Sequence, residues 1–220
     1  MQRVLETEVM DTPEEATDYD MMDHSAVNQL FAEDLIAIGK PLGDVLDLGT
    51  GTAQIPVAIC ERCADCRIMA TDLAVNMLDL AVYNVELAGL RTRIQLAQAD
   101  AKELPYTDQM FDTVISNSII HHLPDPLLCL RGAVRVCKAG GLLFFRDLLR
   151  PDSDEQVARL VDQYAGDANE HQRQMFDDSL RAALSLEEIR HLIETLGFDA
   201  ATVQATSDRH WTWTAEKPKT

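Results

Sequence analysis

Between residues 45 and 147, short apolar runs alternate with stretches of helical period, and this alternation constrains the fold more than any other feature of the chain. The runs lie at 45–48, 67–71, 92–97, 111–117 and 142–147. Helical patterns occupy 53–62, 74–88 and 125–136, punctuated by Gly89, by Pro124 and Pro126, and by a turn at Gly140-Gly141. Strands alternating with helices predict parallel strands joined by right-handed crossovers, and near-continuously apolar strands predict a sheet covered on both faces. The expected class is therefore α/β, a doubly wound (Rossmann-like) sheet. Before it, apolar residues at helical spacing predict a helix over 22–38, ended by Gly39 and Pro41. Residues 1–20 are acid-rich, contain Pro13 and show no period, so they read as a loosely docked arm. After Pro151 the pattern becomes polar and helical over 153–183. Ser185-x-x-Glu188 is a capping box that opens a short helix closed by Gly197. Runs at 199–205 and 209–215 around Thr206-Ser207-Asp208 predict an antiparallel hairpin at the sheet edge. The expected division is an N-terminal arm and helix over 1–40, serving as a lid, and a main domain over 41–220 with a helical substrate-covering insert at about 151–184.

Composition narrows the partners. The 220 residues carry a net charge of −18, with 46% hydrophobic residues. So acidic a chain repels phosphate backbones and anionic membranes, which argues against nucleic acid and membrane partners. No apolar run approaches the roughly 20 residues that span a bilayer, and the acidic start does not resemble a signal peptide, so the expected location is cytoplasmic. Cys60, Cys63 and Cys66 form C-x-x-C-x-x-C, but no fourth ligand stands at matching distance. They are read as buried or half-buried thiols, and no metal is expected.

The chemistry starts at Val45-Leu-Asp-Leu-Gly-Thr-Gly-Thr-Ala-Gln-Ile, a strand running through a glycine turn into a helix. Gly49 and Gly51, around Thr50, let backbone turn tightly against a ligand. A dinucleotide site wants G-x-G-x-x-G, and the third position here is Gln54. Asp47, just before the glycines, suits a ligand with a cationic end better than a pyrophosphate. Asp47, Gly49, Gly51 and Ala53 fit acidic-x-G-x-G-x-small, the pattern of S-adenosylmethionine (SAM)-dependent methyltransferases.

Further sites follow the next strands. Asp72, in Thr71-Asp72-Leu73, can accept from ribose hydroxyls or cap the following helix, and Met77 can pack against adenine. Asp100, before Ala101, can accept from an adenine amino group. Asn117 ends the fourth strand and is followed by His121 and His122, imidazoles that titrate near neutrality and can accept a proton. A metal at the histidine pair is set aside for want of further nearby ligands.

These segments, VLDLGTGTA, TDLAVNML, QADAKELPY, FDTVISNSIIHHLPDP and RVCKAGGLLFF, resemble the core of class I SAM-dependent methyltransferases over 44–147, and most of all the family of ubiquinone/menaquinone-biosynthesis C-methyltransferases. The resemblance implies a seven-stranded, mostly parallel sheet with an antiparallel last strand. It implies that Asp47, Gly49, Thr50 and Gly51 hold the methionine part of SAM, Asp72 with Leu73 and Met77 the nucleoside, Asp100 with Ala101 the adenine, and that Asn117 faces the methionine end. His122 stands as the catalytic candidate. Tyr19 and His24 gain a lid role beside the substrate, where His121, Arg146 and Arg173 are further substrate-binding candidates. Ala53 departs from the family's third glycine. The expected activity is methyl transfer from SAM to a small-molecule acceptor, with S-adenosylhomocysteine as product. Its rivals are an NAD-dependent oxidoreductase and a non-catalytic SAM-binding regulatory module. A homodimer is compatible with the sequence.

Overall fold

In the computed structural model, which describes residues 1–6, 11–22 and 24–219, seven strands share one sheet. They are β1 (Asp44–Leu48), β2 (Arg67–Asp72), β3 (Ile94–Gln98), β4 (Phe111–Asn117), β5 (Cys137–Leu148), β6 (Val203–Ala205) and β7 (His210–Glu216). Their order is β3-β2-β1-β4-β5-β7-β6. The first five run parallel, and β7 is antiparallel to both β5 and β6. The doubly wound class, the seven strands and the antiparallel last strand agree with the sequence. The chain runs from β1 outward to β2 and β3 on one side and then crosses from β3 to β4 on the other, so the carboxyl ends of β1 and β4 flank a topological switch point, where such sheets place ligands.

The helices are α1 (Pro13–Met21), α2 (Ser25–Ala37), α3 (Gln54–Arg62), α4 (Val75–Leu87), α5 (Pro126–Val136), α6 (Asp154–Tyr164), α7 (Glu170–Ala182) and α8 (Leu186–Thr195). One apolar core, with Phe31 and Leu35 of α2, Ile59 of α3 and Val45, Ile115 and Phe144 of the sheet, fills one face. Phe31 meets Phe144 edge-on at 5.0 Å. The other face packs Leu130 of α5 and Ile189 and Ile193 of α8 against Leu46, Phe145, Trp211 and Trp213. The tryptophans, two residues apart on β7, thus share the face that belongs to this core. α6 and α7 pack on each other and on Leu148 as a smaller cluster. Among the described residues, no helix is long and apolar enough to cross a membrane.

Several expectations are corrected. The arm, in which no period was legible, contains a helix: residues 13–21 form α1, capped by Thr12, whose hydroxyl accepts from Glu15 N while Glu15 accepts from Thr12 N. Residues 7–10 lie outside the described residues. A nine-residue helix is marginal alone, so its period is a weak signal, and α1 is held by tertiary bonds instead. Asp11 accepts from Asn76 N and Nδ2, and Asp20 Oδ1 accepts from Gln54 Nε2 and Asn84 Nδ2, each at 3.0 Å. Thr12→Ala should cost α1 about 1 kcal/mol. Amide exchange within α1 should quicken about fivefold while that of the sheet is unchanged. The helix expected from residue 22 begins at Ser25. The 153–183 helix is two, because Arg173 donates to Ala165 O and Gly166 O and closes the end of α6. β5 begins at Cys137 rather than after the glycines, and β6 keeps only three residues after a 3₁₀ turn at Ala200–Thr202.

Candidate active site

The parallel register sets the ends of β1, β2 and β4 side by side, pairing Leu48 with Thr71 and with Ser116. The turn after β1 is locked to both neighbours: Thr50 N donates to Thr71 O at 2.8 Å, and the Ser116 hydroxyl to Leu48 O at 2.9 Å. Gly49 takes φ +68°, and a Cβ there would collide with the Ile119 side chain, so both its conformation and its surroundings require glycine. Ala53 also takes a left-handed φ of +61°, a conformation the family's third glycine would adopt without strain.

A cleft with an internal volume of about 120 Å³ opens above this turn. Gly49, Gly51, Asp72, Leu73, Met77, Asp100, Ala101, Asn117, Tyr19 and His122 all line it. Asp47, Thr50 and Asn117 border a smaller adjoining hollow, and Tyr19 stands between the two. All the cofactor residues expected from sequence thus meet in one place. Ala74, Ala99, Ser118, Ile119 and Leu123 join them without having been singled out. They follow the same strand ends, so position after a strand was the signal that could have found them.

The electrostatics are specific. Asp47 is buried, and its Oδ2 has no hydrogen-bond partner. Burial pushes its carboxyl up to about 7; the Thr50 hydroxyl lowers it, and the Asp72 carboxylate raises it further. A buried carboxylate oxygen without a donor is costly unless a ligand supplies one, and a cationic ammonium suits it best. Asp72 Oδ2 accepts from Gly51 N at 2.8 Å and Oδ1 from Ala74 N at 2.9 Å, so it is both helix cap and cleft wall. Burial holds its carboxyl above the usual value despite those donors. Burial, with Asp72, Asp47 and Asp20 nearby, pushes the Tyr19 phenol up to about 12, leaving it a neutral donor at physiological pH. Met77 packs with Ala16 and Tyr19, so α1 closes directly over the cleft.

Other candidates sit elsewhere. His24 stacks behind Tyr19, ring centroids 5.0 Å apart, rather than among the lining residues. Arg146 is buried on the α2 face, bonded to Asp34 Oδ2 at 2.6 Å and to the Thr212 hydroxyl at 3.0 Å, and lies beside the Phe31–Phe144 ring pair. Arg173 pairs with Asp162 and caps α6, away from the cleft. His121 is buried behind His122, its Nδ1 2.5 Å from Asp147 Oδ1. Burial alone would disfavour the imidazolium, but the Asp147 carboxylate outweighs it and raises His121 above its ordinary value. The cysteine run is structural: all five thiols are free, and Arg93 donates to the carbonyls of Cys60, Cys63 and Cys66. Sequence reasoning missed Glu6, whose Oε1 lies 3.2 Å from His122 Nδ1 and 3.4 Å from His121 Nε2.

Residues 46–145 match the family described as Methyltransferase domain. The methyltransferase GfsG of Streptomyces halstedii is 28% identical over 169 residues, 75% of this chain and 56% of that protein. The demethylmenaquinone methyltransferase of Lactobacillus johnsonii is 34% identical over 107 residues, 48% of this chain and 44% of that protein. The chain spans about half the length of the curated relatives it matches. Among solved structures, a Methanococcus maripaludis protein assigned as a SAM-dependent methyltransferase superposes with a TM-score of 0.75 at 20% identity, covering 99% of this chain and 98% of that one. A SAM-dependent methyltransferase from Aquifex aeolicus gives 0.62 at 18% identity, covering 93% and 98%. At such identities the likeness is one of fold.

Proposed function

We propose that this chain, whose residues 46–145 match the methyltransferase domain family, is a SAM-dependent methyltransferase that transfers the methyl group of SAM to a small-molecule acceptor. The observation that carries the reading is the buried, partnerless Oδ2 of Asp47 beside the glycine turn, which suits an ammonium and repels a pyrophosphate. That disfavours the NAD-dependent rival. Asp47, Gly49, Thr50, Gly51 and Asn117 would hold the methionine end, Asp72 the ribose hydroxyls, and Leu73, Met77, Asp100 and Ala101 the adenine. Bound there, SAM supplies an electrophilic methyl group on its sulfonium.

The chain itself aligns the acceptor, excludes water and removes a proton. Alignment is worth roughly 7–11 kcal/mol of the barrier. α1 performs the exclusion, with Tyr19 over Gly51 and Asp20 tying the helix to α3 and α4. His122 reaches the cleft wall and is the group placed to take the acceptor's proton. The name of the Amycolatopsis mediterranei relative, 27-O-demethylrifamycin SV methyltransferase, 27% identical over 177 residues, supports a small acceptor. The test is S-adenosylhomocysteine release with a panel of small hydroxyl, amine and quinol acceptors. Turnover should be found, and His122→Ala should lower kcat about 10²–10⁴-fold while SAM affinity stays within a few-fold. An unchanged kcat would remove His122 from the chemistry; turnover confined to protein substrates would contradict the small-molecule reading.

A further inference from the structure

We propose that Glu6, His121 and His122 form a site for one first-row divalent cation of the zinc type, set at the inner wall of the cleft. The ligand atoms, Glu6 Oε1, His121 Nε2 and His122 Nδ1, lie within 4.8 Å of one another. The two N···O separations are 3.2 and 3.4 Å. Neighbouring ligands of one ion with bonds of about 2.0–2.1 Å stand about 3.0–3.4 Å apart, as both N···O pairs do.

The orientation of each ligand is fixed from behind. Asp147 Oδ1 lies 2.5 Å from His121 Nδ1, so the neutral ring with its proton on Nδ1 would present the Nε2 lone pair to Glu6. A carboxylate backing an imidazole in this way is the usual support of a metal-bound histidine. The Ser179 hydroxyl donates to Glu6 Oε2 at 3.2 Å, presenting Oε1 to the two rings. That Oε1 is buried and accepts no hydrogen bond, although two ring nitrogens lie near it. A hydrogen-bonded carboxylate–imidazole pair would have used it; an ion coordinated by all three atoms would satisfy it. The N-terminal segment is held in place for this by Arg3, which donates to His121 O at 2.9 Å, Leu123 O at 3.0 Å and Ala182 O at 2.6 Å. Two imidazoles and one carboxylate are a donor set for zinc, iron or cobalt rather than for magnesium or calcium. Because His122 also lines the cleft, an ion held on its Nδ1 would replace His122 as base: the ion would take an acceptor oxygen as a further ligand and ease loss of its proton to solvent.

The site is tested without SAM, so its outcome is separate from that of the cofactor reading. Metal-stripped full-length protein is titrated with Co²⁺, followed by visible absorption, and with Zn²⁺ by calorimetry. One equivalent should bind, with a visible cobalt band and proton release. Glu6→Gln should weaken binding at least tenfold, and His122→Gln should do the same, each with an unchanged far-UV circular dichroism spectrum. Absence of a cobalt band in the wild type overturns the proposal, as does unchanged affinity in folded Glu6→Gln protein.

Discussion

Asp47→Asn is expected to abolish SAM binding at micromolar concentration and at the same time to raise the melting temperature of the ligand-free protein. Both effects come from one buried carboxyl. Burial moves it from an unfolded value near 3.9 up to about 7. A carboxyl raised by folding favours the folded state fully below its unfolded value, and that contribution is lost as pH rises through the folded one. Above pH 7 the ligand-free fold therefore carries an ionised Asp47 with Oδ2 partnerless, at a cost of about 2–4 kcal/mol. The neutral amide removes that cost, which is several degrees in a chain of this length. It also removes the charge that would bind the ligand's ammonium. In the wild type, SAM affinity should fall about tenfold per pH unit below 7, because binding then requires Asp47 to release its proton. Calorimetry at pH 6 and pH 8, with thermal melts of both proteins, measures all three effects.

Asp147→Ala should destabilise the fold by about 3–5 kcal/mol. The carboxylate is buried at 1% exposure and accepts from Ile120 N at 2.6 Å, Leu148 N at 2.6 Å and His121 Nδ1 at 2.5 Å. Alanine leaves two backbone N–H groups and an imidazole without their acceptor in an interior that water does not reach. Burial works to raise Asp147, but the His121 charge and the backbone donors outweigh it and hold it below the ordinary carboxylate range. Its contribution is thus present above an unfolded pH near 4 and lost as pH falls through the folded value. The His121 contribution is present below about 6.5 and lost as pH rises through its own raised value. The ion pair therefore stabilises most in the window between them. Urea midpoints at pH 5.5 and pH 8.5 should show Asp147→Ala costing more at the lower pH.

What could be read from the sequence was local. Asp47, Asp72, Asp100 and Asn117 each stand at or within two residues of the carboxyl end of a strand, and parallel strands in a doubly wound sheet deliver their ends to one crevice whatever the rest of the chain does. Spacing along the chain therefore sufficed to gather them. Side chains whose partners come from distant segments were not legible. Arg146 looks free at a strand end, yet α2 brings Asp34 to it. Arg173 looks ready for a carboxylate ligand, but it spends its donors on the end of α6 and on Asp162. Glu6 meets the histidine pair only because Arg3 binds the backbone of His121, 118 residues away in sequence. α1 escaped for a related reason: its capping box is local, but its stability comes from Asn76, Asn84 and Gln54.

Titration calorimetry of SAM, S-adenosylhomocysteine and NAD against the wild type and Asp72→Ala tests the cofactor site most directly. Asp72 joins the cleft wall to Gly51 N and Ala74 N, so its loss should remove the ribose acceptors while circular dichroism shows the sheet intact. The expected result is one-site micromolar binding of both SAM-type ligands to the wild type, no heat with NAD, and binding weakened at least tenfold in Asp72→Ala. Binding of NAD in place of SAM, or SAM affinity unchanged in folded Asp72→Ala, would contradict it.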